Sequence, residues 1–271
     1  MASLQAWGPG PGRDLRVGDV VRISCPFTKA LVAEGWRPDG EVTLRWPWWS
    51  PDPDCSWFRW NGAVVVDGGT GPDAGGRGLF RTDPAPHLLT TGDTCRVGIP
   101  PTLVHVIDVA HYDPPQETGR LPRPSRLVVV LPAGRSYDSR LEEQGESFDP
   151  DDDIPVSFAP VLRPYAFLEP GDEVADSTGR AWRFDGPWDW CPFDGAGPHE
   201  PVWPLVLLTR RACADVTAAG AEAAVAGATR TGSHRKEIAR WSAAAQAEPP
   251  SSRCHEEWRE VAGPAAGPFA P

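Results

Sequence analysis

Three segments of this chain are spelled almost alike: LRVGDVV at Leu15, LTTGDTC at Leu89 and LEPGDEV at Leu168. Each places a Gly-Asp pair three and four residues after a leucine. The pattern dictates local geometry. Glycine takes the positive φ of a tight turn at no steric cost, and the Asp side chain accepts hydrogen bonds from nearby backbone N–H groups. The copies lie 74 and 79 residues apart, and strands should open at Val20, Cys95 and Val174. Three turns of one kind at near-equal spacing point to a β fold built from comparable units. They also assign Asp19, Asp93 and Asp172 to backbone geometry rather than to catalysis.

The residues after each turn run in a comparable order. A strand of alternating character leads to an aromatic and proline turn: Pro47-Trp48-Trp49, Tyr112-Asp113-Pro114 or Pro187-Trp188-Asp189-Trp190. An apolar run comes next, at Val64-Val65-Val66, Val128-Val129-Val130 or Leu205-Val206-Leu207-Leu208. With 32 prolines and 28 glycines, short elements joined by turns are favoured over long helices. The expected fold is mainly β: two or three small barrel-type units of SH3-like size, each filled by large aromatics. The expected boundaries are a flexible N-terminus at 1–14, β units at 15–88, 89–139 and 156–211, an acidic linker at 140–155 and a tail at 212–271. The linker rests on RLEEQGESFDPDDD, which carries seven acidic side chains.

From Ala212 the composition changes to an alanine-dominated stretch of favourable helix propensity. Asp215 and Ser233 are candidate N-caps, with Thr231-Gly232 as the break between two helices. Only Val216, Val225, Ile238 and Trp241 offer large apolar surface, so an Ala-rich helical or disordered tail is expected, with residues 1–211 folding without it.

Charge and motifs narrow the function. The net charge of −11 argues against nucleic acid and anionic membranes as partners. The first residues lack the apolar stretch of a secretory signal, and the six cysteines form no C-x-x-C pair, so a cytoplasmic protein with reduced thiols is expected. There is no P-loop, no G-x-G-x-x-G, no H-E-x-x-H and no G-x-S-x-G. No cofactor, metal site or catalytic residue is assigned.

Thirteen tryptophans are the stronger signal. Aromatic side chains near turns stack ligands or anchor partners. The candidate binding residues are therefore Trp46, Trp48, Trp49, Trp57, Tyr112, Trp188 and Trp190, and the expected function is non-catalytic binding of a peptide or protein partner. The arginines of RLPRPSR, residues 120–126, would supply a basic rim. The alternative is a metal-dependent hydrolase on a β-barrel. If VHVIDVAHYD is a strand and then a turn, His105 and His111 share a face with Asp113 beyond them, and Asp108 or an acidic-loop residue serves as base. Six residues along a straight strand span roughly 20 Å, so that site requires a turn between the histidines.

Overall fold

The structure, a computed structural model, describes residues 14–37, 40–55, 63–67, 78–132, 144–151, 155–195, 200–210 and 218–246. All three L-x-x-G-D segments close in the same way. The Asp N–H donates to the carbonyl three residues earlier, at 3.0 Å from Asp19 to Arg16, 3.0 Å from Asp93 to Thr90 and 2.9 Å from Asp172 to Glu169. The Asp carboxylate in return accepts the N–H of Arg16, Thr90 or Glu169 at 3.0, 2.8 and 2.8 Å. Gly18, Gly92 and Gly171 sit at φ +91°, +91° and +90°, the positive φ that the third position of a type II turn demands. Each leucine is buried beneath its turn.

The first turn opens β1 (Val20–Glu34), followed by β2 (Glu41–Arg45), β3 (Ser50–Pro51), β4 (Ala63–Asp67) and β5 (Arg81–Asp83). The second opens β6 (Thr94–His111), followed by β7 (Arg120–Leu121), β8 (Arg126–Pro132), β9 (Glu146–Phe148) and β10 (Ser157–Leu162). Eight of these strands form one curled, half-barrel sheet of order β4-β2-β1-β6-β8-β9, with β10 also on β1 and β5 also on β6. β1 and β6 pair at its centre, and two further strands lie outside each of them.

The correspondence extends to single residues. Gly18 N–H donates to Val106 C=O and Val106 N–H to Asp19 C=O; 74 positions away in each strand, Gly92 N–H donates to Val32 C=O and Val32 N–H to Asp93 C=O. The β1–β2 ladder slips between Val32 and Glu34, and the β6–β8 ladder slips between Val106 and Asp108. Thr82 of β5 lies opposite Val97, while Phe158 of β10 lies opposite Ile23, again 74 positions from Val97.

One hydrophobic core serves the whole sheet. It includes Val21, Ile23, Leu44, Val66, Val97, Ile99, Val128 and Val130, closed by Trp46, Phe80, Phe148 and Phe158. Ring centroids step from Trp46 to Phe80 at 5.0 Å, to Phe148 at 6.1 Å and to Phe158 at 6.0 Å. Strands of residues 15–88 and 89–139 thus share one sheet and one core, and β10, from 156–211, joins them.

The third turn opens β11 (Asp172–Ala175), followed by β12 (Ala181–Gly186), β13 (Asp189–Pro192) and β14 (Val206–Thr209), which form a separate four-stranded sheet. Two helices complete the chain, α1 (Ala218–Thr229) and α2 (His234–Gln246). Ser233 caps α2, its Oγ accepting Lys236 N–H at 3.2 Å, as its spacing implies. Asp215 and Val216 lie outside the described residues. The helices are not a pendant tail. Val225 is fully buried with Tyr165, Leu168, Trp182, Phe184 and Leu205, and Thr229 Oγ1 accepts Leu205 N–H at 3.0 Å. Alanines let the backbone of α1 come close to β14, so a segment poor in large side chains still completes a core.

The first turn is the junction between the two sheets. Pro187 packs on bare Gly18, Arg16 reaches Leu168 C=O at 3.3 Å, and Trp241 Nε1 of α2 donates to Gly18 C=O at 2.9 Å. Arg163, just beyond β10, clamps the buried Asp19 carboxylate at 2.9 and 2.8 Å.

Candidate functional site

The structure sorts the expected aromatic residues by exposure. Trp46 is core. The backbone turns at Pro47-Trp48, so strand parity does not carry past Trp46, and Trp48 points outward, 46% exposed. Trp49 is half-buried against the core, with the Arg120 guanidinium 3.9 Å above its ring. Trp188 meets His105 edge-on at 5.8 Å and Trp241 at a tilt at 5.3 Å, and Trp190 packs on Phe184 and Tyr165 at 4.9 and 5.7 Å. Both are half-buried against side chains of α2, Trp241 and His234, which no local spacing could foretell. Trp57 lies outside the described residues.

Tyr112 lines a cleft of about 610 Å³, together with His111, Asp113, Ser125, Arg126 and Asp151. Its frame is fixed by backbone bonds and one carboxylate. Tyr112 N–H donates to Ser125 C=O at 2.8 Å, closing the 112–125 loop. The buried Asp149 accepts Ser125 N–H at 3.0 Å and Asp151 N–H at 2.9 Å, tying both walls together. Arg126 and Asp151 form an ion pair across the cleft at 3.2 Å. At its tip the same loop is pinned by β7 pairing with β3 and by Arg123 donating to Asp52 at 2.6 Å. The three arginines of RLPRPSR are thus spent on Trp49, Asp52 and Asp151. The result is a hydrogen-bonded, polar-rimmed groove with one aromatic wall, suited to hydrogen bonding and stacking.

His105 and His111 do not converge. The bulge at Ile107 adds one residue between them, so they fall on opposite faces of β6. His105 is 1% exposed, its ring against Trp188 and Trp241, and burial holds it down to about 4. His111 and Asp113 are exposed at the cleft rim, while Asp108 accepts the N–H of Val109 on an exposed stretch. Among the described residues, the one group of three or more His/Cys/Asp/Glu side chains whose ligand atoms approach one another is Asp185, Asp189 and Cys191. There Arg183 already occupies Asp185 at 2.8 Å and reaches Cys191 Sγ at 3.7 Å.

Two clusters carry no signal in the local sequence. A second cleft of about 370 Å³ lies beside the second turn, lined by Trp36, His87, Leu88 and Thr91 among others. Trp36 stands apart from the dense tryptophan run, and only the pairing of β1 with β6 brings it to His87, at 6.4 Å. The other is the buried Tyr165 hydroxyl bonded to His234 Nδ1, with Tyr165 N–H on Glu237 of α2 at 3.2 Å. Tyr165 takes a left-handed φ of +51° to reach this position. Known proteins offer no guide here: the chain matches no family model, no curated protein and no solved structure. No helix among the described residues is long and apolar enough to cross a membrane.

Proposed function

We propose that this is a non-catalytic interaction protein that binds a peptide or protein segment along the Tyr112 cleft. The observation that carries the reading is the cleft itself. It is a preformed groove whose walls are tied by Asp149, with Tyr112 and His111 at its rim and the Arg126–Asp151 pair across it. Exposed Trp48 belongs to the turn before β3, which pairs with the loop that bears Tyr112, and we assign it to the same binding face. Preformed frames lower the ordering cost of binding, and aromatic anchors with polar rims are what peptide grooves use. We further read residues 15–88 and 89–162 as two copies of one unit, a reading supported by the matched turns, bulges and strand crossings 74 positions apart.

The test is selection of a random peptide library on the full chain, followed by affinity measurement on variants. Peptides selected on the wild type should bind Tyr112→Ala at least about tenfold more weakly, with an unchanged melting temperature. Peptides that bind wild type and Tyr112→Ala equally would place recognition elsewhere.

A further inference from the structure

The two ends of the eight-stranded sheet are built alike and covered unlike. At the first turn, Pro187 rests on Gly18, Trp241 donates to Gly18 C=O, and Trp188 and Trp241 meet His105 edge-on, with His105 across from Val20. The matching residues at the second turn are Gly92, Thr94 and Leu31, with Leu31 across from Thr94. No described atom lies within 4 Å of a Cβ built on Gly92, and Leu31 is 42% exposed. Leu88, in the adjoining cleft with Trp36 and His87, is 62% exposed.

Charge tells what would fit there. On the face that Leu31 shares, the next cross-strand pair is Lys29 opposite Arg96, two exposed cations side by side in a chain of net charge −11. Like charges directly opposite are unfavourable until something acidic meets them. Asp83 of β5 lies opposite Arg96 on its other side, and the Arg96 guanidinium also donates to Phe27 C=O at 3.2 Å. The segment that covers the first turn, FDGPWDW, has an acidic residue on each side of its Pro-Trp pair, Asp185 and Asp189.

We propose that the second turn, with Leu31, Lys29 and Arg96, is a docking site for an acidic proline–tryptophan turn of a partner polypeptide. The proline would lie on Gly92 and the indole on Leu31, with the flanking carboxylates toward Lys29 and Arg96. This site is separate from the Tyr112 cleft and does not rest on it.

The probe is a fluorescein-labelled peptide spelling residues 184–192 with serine for Cys191, titrated against the full chain and followed by anisotropy and by amide shifts. Saturable binding is expected, with shifts at Leu31 and Gly92 and affinity at least about tenfold weaker for Leu31→Glu and for Lys29→Glu. Both side chains are exposed, so both variants should keep the wild-type melting temperature. Tyr112→Ala should bind the probe normally, so this proposal and the cleft reading fail separately. The docking site is overturned by absence of saturable binding, by binding indifferent to both variants, or by shifts at Gly18 and Trp241, which would mean exchange with the chain's own hairpin. A wild-type dimer that Leu31→Glu dissociates would overturn it in favour of self-association.

Discussion

Alanine at Gly92 and at Gly18, introduced one at a time, separates the backbone demand of the repeated turn from the packing around it. Both glycines sit at φ +91°, so both alanines meet the same left-handed penalty, about 1–2 kcal/mol. A stiffer unfolded chain returns about 0.4–1 kcal/mol of that. Around Gly92 the described structure is open, so Gly92→Ala should cost about 1 kcal/mol in all. At Gly18 the added Cβ would lie 2.2 Å from Pro187 Cγ and 2.4 Å from its Cδ. Proline is a rigid ring and cannot swing aside, so the hairpin must shift, adding about 1–3 kcal/mol of overpacking. Gly18→Ala should therefore cost about 3 kcal/mol, and for a chain this long the melting temperature should fall by about 9 °C against about 3 °C for Gly92→Ala. Urea unfolding followed by tryptophan fluorescence measures both. Asparagine tolerates the left-handed region better, so Gly92→Asn should lose less than Gly92→Ala. Equal losses at the two sites, or Gly92→Asn as costly as Gly92→Ala, would refute the account of the turn and its junction.

One buried group, His105, and one half-buried group, Glu146, should oppose each other in acid. His105 is held down to about 4 by burial, so the unfolded chain takes up a proton below about 6.5 that the folded chain refuses, and about 3 kcal/mol of stability is lost as pH falls from 6.5 to 4. Glu146 is pushed up to about 7 by burial, so the folded chain binds its proton first and gains a similar ~3 kcal/mol as pH falls from 7 to 4.5. In urea titrations across this range, Glu146→Gln should show the unmasked acid loss and His105→Phe an acid gain; parallel profiles would contradict the assignment. A chain ending at Arg210 should lose cooperative unfolding and bind a hydrophobic dye, because it strips Val225 from the second core, Thr229 from Leu205 and Trp241 from His105. A wild-type unfolding midpoint in that chain would restore the view of the helices as a dispensable tail.

The parts of this fold that are legible in the sequence are those governed by nearby residues. The turn glycines, their Asp partners, the strands they open and the Ser233 cap all depend on chemistry within four positions. Legibility ends where a single residue changes a face. The bulge at Ile107 moves His111 to the side opposite His105, and with that the metal reading loses its geometry, although the residue types are suitable. Trp188 and Trp190 have the chemistry of anchors, but α2, some fifty residues later, lies over them. Of the expected binding residues that are described, Trp48 is exposed, Trp46 is buried, and Trp49, Tyr112, Trp188 and Trp190 are half-buried; sequence spacing alone does not register burial by a distant element.

The unequal ends of the sheet arise from chain order. The strand after each half crosses to the opposite half: β5 runs along β6, and β10 runs along β1. Each is succeeded by an L-x-x-G-D turn. After β5 that turn opens β6 itself, so the chain there is consumed in building the second half. After β10 no further half remains to be built. The chain passes the first turn, where Arg163 clamps Asp19, and continues into the third turn and a new sheet. Whatever residues 163–246 form must therefore grow beside the first turn, and their Pro187 hairpin and Trp241 cover it. The second turn has the same backbone and no such continuation. Among the described residues its Gly92 stays bare and Leu31 outward, because connectivity delivered the covering segment to one end alone.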